Sequence, residues 1–198
     1  MSQTASPITS QPSSPSKQIA NPMENVQTAL DKDEVHQVIG KPAQAGANKI
    51  LIGWKNSPEG NKALEHYLTK VIKSGDHVIL LVVLPTSMFK SSGFGTDDKK
   101  MDRQALRDLR EHAQQLATEK IKTIESKGAT ASLEIVHGER RYVIEWLAHR
   151  RQVDLIILGR KKAHAPAKGL SKMFLGHPIG STVQHVLHKV SVPVLVVN

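Results

Sequence analysis

The sequence predicts an α/β fold, a doubly wound five-stranded parallel sheet with helices on both faces, carried behind a disordered N-terminal arm. Three observations support this. Short apolar runs alternate with segments of helical periodicity from residue 49 onward. Glycine, proline and serine mark most of the junctions between them. Residues 1–22, by contrast, hold six Ser, two Thr, four Pro and three Gln, with Ile8 and Ile19 as the only branched aliphatics. So little apolar surface does not offset the entropy of ordering a backbone.

The elements follow in order. Lys49-Ile-Leu-Ile-Gly53 is an apolar run that stops at glycine, as a buried strand does. Ser57-Pro58 supplies a helix N-cap and a first helical residue. Ala63, Leu64, Tyr67, Leu68, Val71 and Ile72 then recur at helical spacing, and Gly75 ends the helix. Val78 to Leu84 is continuously apolar, the pattern of a strand covered on both faces, and Pro85 closes it. After a polar loop, Met101, Leu106, Leu109, Ala113, Leu116, Ile121 and Ile124 space a long amphipathic helix that Gly128 caps.

Ala131–Val136 alternates like a strand near a sheet edge. Val143, Trp146, Leu147 and Arg150 space a third helix, with Trp146 expected in the core. Asp154–Leu158 is another buried strand. Gly180-Ser181 opens a helix with Val183, Val186, Leu187 and Val190 inward, and Val192–Val197 is the last strand. This alternation implies right-handed crossovers and a parallel sheet. Such sheets bind ligands outside the carboxyl ends of the strands. Here those ends are Gly53–Asn56, Leu84–Pro85 and Gly159–Lys162.

Two units are expected, a disordered or partly helical extension over residues 1–47 and a domain over 48–198. In the extension Met23, Val26, Leu30, Val35 and Val38 form a rough helical stripe, and Gly40, Pro42 and Gly46 mark a linker. Ser6-Pro7 and Ser14-Pro15 are candidate proline-directed phosphorylation sites.

Of 198 residues, 27 are Lys or Arg and 18 Asp or Glu, a formal net charge of +9. Residues 1–48 carry −1 and residues 49–198 carry +10. With no Cys, disulfide staples, zinc–thiolate sites and thiol catalysis are excluded. The longest apolar run is Val78–Leu84, far short of the ~20 residues of a membrane span. No signal peptide or other address is legible, so the cytoplasm is the expected location, with a nuclear fraction left open. His185 and His188 belong on the solvent side of their helix rather than on a metal. No basic stretch is interleaved with aromatics, which argues against nucleic acid. No catalytic residue is expected, as no nucleophile-elbow pattern is present.

From Lys49 to the end, the chain resembles the universal stress protein family. Lys49-Ile-Leu-Ile-Gly-Trp-Lys-Asn-Ser57 resembles its first strand and turn, and Val78–Val83 its second strand. Val136-His-Gly138 and Asp154–Gly159 resemble the third and fourth. Gly180-Ser-Thr-Val-Gln-His-Val186 before Pro193-Val-Leu-Val-Val197 is the best match. The resemblance implies a fold like that of the adenine nucleotide alpha hydrolases. It also implies a homodimer through Val192–Val197 and a cleft for ATP or AMP, with Mg only as the nucleotide's companion. It further implies that Gly159, Gly180 and Ser181 hold phosphates, that Val83 meets adenine through its backbone, and that Gly53 and Leu158 line the cleft. Helix N-termini and glycines suit phosphate for a physical reason, because unpaired N–H groups can approach it.

The chain departs from the family pattern at Lys162, which replaces a glycine, and at Lys55, which replaces an acidic residue. Gly159 and Gly180 are also 21 residues apart instead of 13. Arg160, Lys161, Lys162, Lys168 and Lys172 gather in the longer segment. Such side chains bind phosphate by charge. The expectation is therefore a stress-response regulator rather than an enzyme, with weak nucleotide hydrolysis left open. The alternative is an interaction module whose basic loop takes another anion or a partner.

Overall fold

A computed structural model describes residues 36–84, 96–160 and 180–198. Its elements are β1 (His36–Gly40), β2 (Lys49–Gly53), α1 (Pro58–His66), β3 (His77–Leu84), α2 (Thr96–Glu125), β4 (Thr130–His137), α3 (Arg140–Arg151), β5 (Leu155–Gly159), α4 (Ser181–Lys189) and β6 (Val194–Val197). Ser57 caps α1, its side chain accepting from Gly60 N at 3.3 Å, and Pro58 is the first helical residue. Immediately after α1 the chain widens into a π-helical turn over Tyr67–Val71, so the regular helix stops before the expected Gly75.

Six strands form one sheet in the order β1-β4-β3-β2-β5-β6. All neighbours are parallel except β1, which runs antiparallel to β4 with His36 opposite Val136 and Gly40 opposite Ser132. The sheet thus has one strand more than the sequence predicts. Val35 and Val38 suggest helical spacing, yet residues 36–40 pair as a strand. The cause is tertiary, because β4 offers a free edge that β1 fills. For the same reason β4 is no edge strand, and its last seven residues are all buried. The rest of the expected arm lies outside the described residues, as do residues 85–95 and 161–179.

Each face of the sheet carries its own core. Ile50, Ile52, Val78 and Leu80 pack with Ala63, Leu64 and Tyr67 of the first helical segment and with Leu106, Ala117 and Ile124 of α2. Leu51, Ile79, Leu81 and Ile156 pack with Val143, Trp146 and Leu147 of α3 and with Val183 and Val186 of α4. Leu187, expected inward, is 44% exposed. β6 lies at the far edge of the sheet with all four residues half-buried.

Candidate functional site

The strand order reverses between β2 and β5, and there the sheet opens a cleft at the carboxyl ends of its strands. It is bounded by Gly53 and Lys55 after β2, Leu81 and Val83 of β3, and Leu158 and Gly159 of β5. Three helices begin beside it, with Ser57, Glu59 and Gly60 at the start of α1, Arg140 at the start of α3, and Thr182 and Val183 at the start of α4. A helix start leaves backbone N–H groups without intrahelical partners and carries the positive end of the dipole.

The three starts differ. α1 is capped by the Ser57 side chain. The N-caps of α3 and α4, Glu139 and Gly180, make no side-chain capping bond. The two glycines expected to hold phosphate differ as well. A Cβ on Gly159 would run into the Glu59 carbonyl, so the bare backbone there is needed for packing against α1. A Cβ on Gly180 would meet nothing within 4 Å among the described residues.

Val83 stands two residues beyond the last β2–β3 pair, Gly53 opposite Leu81. Trp54 N donates to Leu81 O at 2.9 Å, so the Leu81 backbone faces β2. By the alternation of a strand, the Val83 N–H and C=O face the same side, past the end of that ladder. A donor and an acceptor so placed match the hydrogen-bonding edge of a base.

Of the expected residues, Gly53, Lys55, Val83, Leu158 and Gly159 all border the cleft. Gly180 and Ser181 stand at the start of α4, next to Thr182 of the lining. Arg160 is directed elsewhere, with its N–H on Val197 O at 2.8 Å and Nη1 on Asn198 Oδ1 at 3.3 Å, so it ties β5 to the C-terminal edge. Lys162 lies outside the described residues. Sequence reasoning missed Arg140, which opens the helix beside the cleft. Its signal was its position just after the Gly138 strand end. Trp54 also borders the cleft but offers it no open ring face. It is 2% exposed beneath α1, and its Nε1 donates to Asn61 Oδ1 at 3.0 Å.

Lys55 and Arg140 are exposed and make no ion pair among the described residues. The lining thus sets these two cations beside one carboxylate, Glu59. His185 is not fully solvated as expected. Its Nε2 lies 2.8 Å from Glu145 Oε2, and its ring sits edge-on to Tyr142. Among the described residues no cluster of His, Asp or Glu could hold a metal ion. No described helix is long and apolar enough to cross a membrane.

The family model described as universal stress protein family matches residues 46–198. The chain belongs to the universal stress protein family. Solved structures share the fold. A protein solved as hypothetical protein MJ0577 is 28% identical, with a TM-score of 0.57 over 76% of this chain and 94% of its own. The universal stress protein UspA from Lactobacillus plantarum is 18% identical, with a TM-score of 0.58 over 78% of this chain and 100% of its own. A family member from Arabidopsis thaliana, solved with AMP bound, is 19% identical, with a TM-score of 0.50 over 76% of this chain and 90% of its own. No curated protein matches the chain.

Proposed function

We propose that this universal stress protein is a regulatory binding protein of the stress response, and that it takes an adenine nucleotide, ATP or AMP, in the cleft between β2 and β5. The observation that carries the reading is the start of α4. Among the described residues, its N-cap is a glycine with nothing within 4 Å of where a side chain would stand, no side chain caps it, and Thr182 of its first turn borders the cleft. Free backbone donors and the helix dipole favour a phosphate there. The Val83 backbone then takes the adenine, with Gly53 and Leu158 as apolar walls. Ser181 adds a hydroxyl donor to the phosphates, and Lys162 supplies charge.

Lys55 changes the ribose end of this site. An ammonium donates but does not accept, so it cannot hold ribose hydroxyls as a carboxylate would. It serves the phosphates by charge instead. A magnesium ion would enter as the nucleotide's companion. The protein acts as a regulator in this reading, with no metabolic reaction assigned to it.

Calorimetry with ATP, ADP and AMP on the wild type and on Gly180→Val tests the site. Heat is expected with the wild type. The valine variant should bind at least about tenfold more weakly, with unfolding within about 0.5 kcal/mol of the wild type, because its side chain meets none of the described residues. No heat with any nucleotide overturns the reading. It leaves the second one, an interaction module whose cationic mouth takes an acidic partner. That reading draws on Gly159, whose missing side chain is explained by Glu59 without any ligand.

A homodimer through β6 belongs to the same proposal. The strand is apolar and half-buried and ends the sheet. An uncovered apolar edge is an aggregation hazard that pairing removes. The full chain should sediment as a dimer at micromolar concentration, and a monomer there counts against the pairing.

A further inference from the structure

We propose that the cavity where β3 and β4 begin, beyond the end of α3, is a second ligand site, and that it takes a small hydroxylated anion, a carboxylate or phosphate carried on a polyol body. The cavity lies at the opposite end of the sheet from the cleft, so it does not rest on the nucleotide reading. Its volume is about 320 Å³. Small-molecule sites span from roughly that size upward.

The chain ahead of the family domain builds one side of it. The family match begins at residue 46, whereas Val38, Gly40, Lys41, Pro42 and Ala43 all border the cavity. Because β1 runs antiparallel to β4, it ends with Gly40 opposite Ser132, near where β4 begins. β2 begins three strand spacings away, roughly 14 Å, so residues 41–48 cross the beginnings of β4 and β3. Gly40 has φ +112°, and a Cβ there would meet Ala131 O at 2.8 Å, so glycine is needed where the chain turns into that crossing. Residues outside the described set join it at His36, Leu84, Thr96, Arg160 and Gly180, at the cleft end and away from this cavity.

The floor is made of acceptors. His77, Ser132 and Glu134 border the cavity and are all buried. Burial lowers the His77 pKa, so the ring is neutral at pH 7. Thr130 Oγ1 gives its hydrogen to Asp76 O at 3.4 Å, so it accepts from His77 Nδ1 at 2.9 Å. His77 Nε2 then accepts from Ser132 Oγ at 3.1 Å, and Ser132 keeps lone pairs but no proton for a ligand. The last carbonyls of α3 add to this, with Arg151 O already taking Lys49 Nζ at 3.1 Å. Acceptors with lone pairs to spare suit the hydroxyls of a ligand.

The cations supply the other half of the match. Lys41, Lys49, Arg150 and Arg151 border the cavity, with Glu134 as the one carboxylate of the lining. Arg151 Nε donates to Glu134 at 2.7 Å, and the Arg150 guanidinium lies over the Trp146 ring. Two more carboxylates stand beside the lining, Glu125 at 3.4 Å from Lys41 Nζ and Asp154, which accepts from Lys49 N at 2.8 Å. Counting both, four cations face three carboxylates. An ammonium has three donors and a guanidinium five, so these contacts do not exhaust Lys49 or Arg150. An oxyanion sits against those two, with its hydroxyls on the floor.

Calorimetry on the full chain with ribose 5-phosphate and with gluconate tests the site. Heat is expected with both, and inorganic phosphate, which lacks the polyol body, should bind at least about tenfold more weakly. Lys49→Gln/Arg150→Gln should weaken ribose 5-phosphate at least about tenfold. Gly180→Val, at the cleft, should leave it unchanged. No heat with either probe overturns the site. So does loss in Gly180→Val with retention in the double variant, which puts the anion in the cleft. Equal binding of inorganic phosphate overturns the polyol class. Hydrogen exchange checks the place without any variant. Ribose 5-phosphate should slow exchange at the amides of Lys41, Ala43 and Gln152, and unchanged exchange there overturns the site. Failure of ATP to bind sinks the nucleotide reading and leaves these outcomes as they stand.

Discussion

The two ends of the central sheet treat polar groups in opposite ways. Where the parallel strands begin, buried polar atoms find partners within the protein. Asp76, 4% exposed, accepts from Tyr67 Oη at 3.0 Å, Lys73 N at 2.9 Å and Asn48 Nδ2 at 3.4 Å. The His77 ring nitrogens lie 2.9 Å from Thr130 Oγ1 and 3.1 Å from Ser132 Oγ. Asp154 takes the first N–H of β2 at 2.8 Å. Where the same strands end, α4 starts without a side-chain cap, Val83 runs past its ladder, and Lys55 and Arg140 stand exposed. One end is closed by its own hydrogen bonds. The other leaves donors without partners among the described residues, and that difference, more than any single motif, is what the proposed nucleotide site rests on.

The strongest way to break the comparison is Asp76→Ala. Tyr67 is fully buried, and burial followed by the Asp76 charge drives its pKa upward, so it stays a donor that requires an acceptor. Removing the carboxylate strands that hydroxyl and the Lys73 N–H inside the protein. A loss of about 4 kcal/mol in urea unfolding is expected. Nucleotide affinity of the folded variant should not change, because the network lies at the opposite end of the sheet. A variant of native stability would show that the closed end is not what holds the sheet together.

How much of this was legible in the sequence depended on the distance over which each contact acts. Local signals carried well. Ser57-Pro58 opened α1, the unbroken Val78–Leu84 run marked the buried central strand, and Gly180-Ser181 opened α4. Strand ends marked by glycine coincide with Gly53 and Gly159, which border the cleft. What failed was set by residues about a hundred positions apart. The strand His36–Gly40 exists because β4 needs an edge partner, and nothing within five residues of sequence announces that.

Glu134 shows the same limit. It reads as an outward polar position of an alternating strand, yet it is 1% exposed, with Arg151 Nε donating to it at 2.7 Å and His36 at its other oxygen. The candidate site was legible as a place but not in its charges. Arg140 comes from a helix whose basic residues look alike in sequence, and only the fold separates the one at the cleft from those at the far end.

A smaller effect tests the ligand end through pH. His137 closes β4 at 4% exposure, and burial, then the neighbouring Arg110 guanidinium, hold its pKa down to about 4. The unfolded chain protonates this ring near the ordinary value of about 6.5. Its contribution to stability is therefore complete above that value, declines as pH falls from about 6.5 to about 4, and is lost below. The full decline is worth about 3 kcal/mol. Burial lowers the His77 pKa too, so the wild type should slope more steeply than His137 alone requires.

Glu134 is separable because its window lies lower. Burial alone would raise its pKa, but the hydrogen bonds from His36 and Arg151 outweigh that and hold it below the usual value. Its stabilisation is present above about pH 4.3 and lost as pH falls through the lowered value. Urea unfolding of the wild type and His137→Gln at pH 7.5, 6.5, 5.5 and 4.5 isolates the histidine. The variant should lose most of the His137 share of the slope while keeping that of His77. Parallel slopes would mean that the protonated ring is accommodated where β4 ends, and that this end of the sheet is less enclosed beside the cleft than its burial implies.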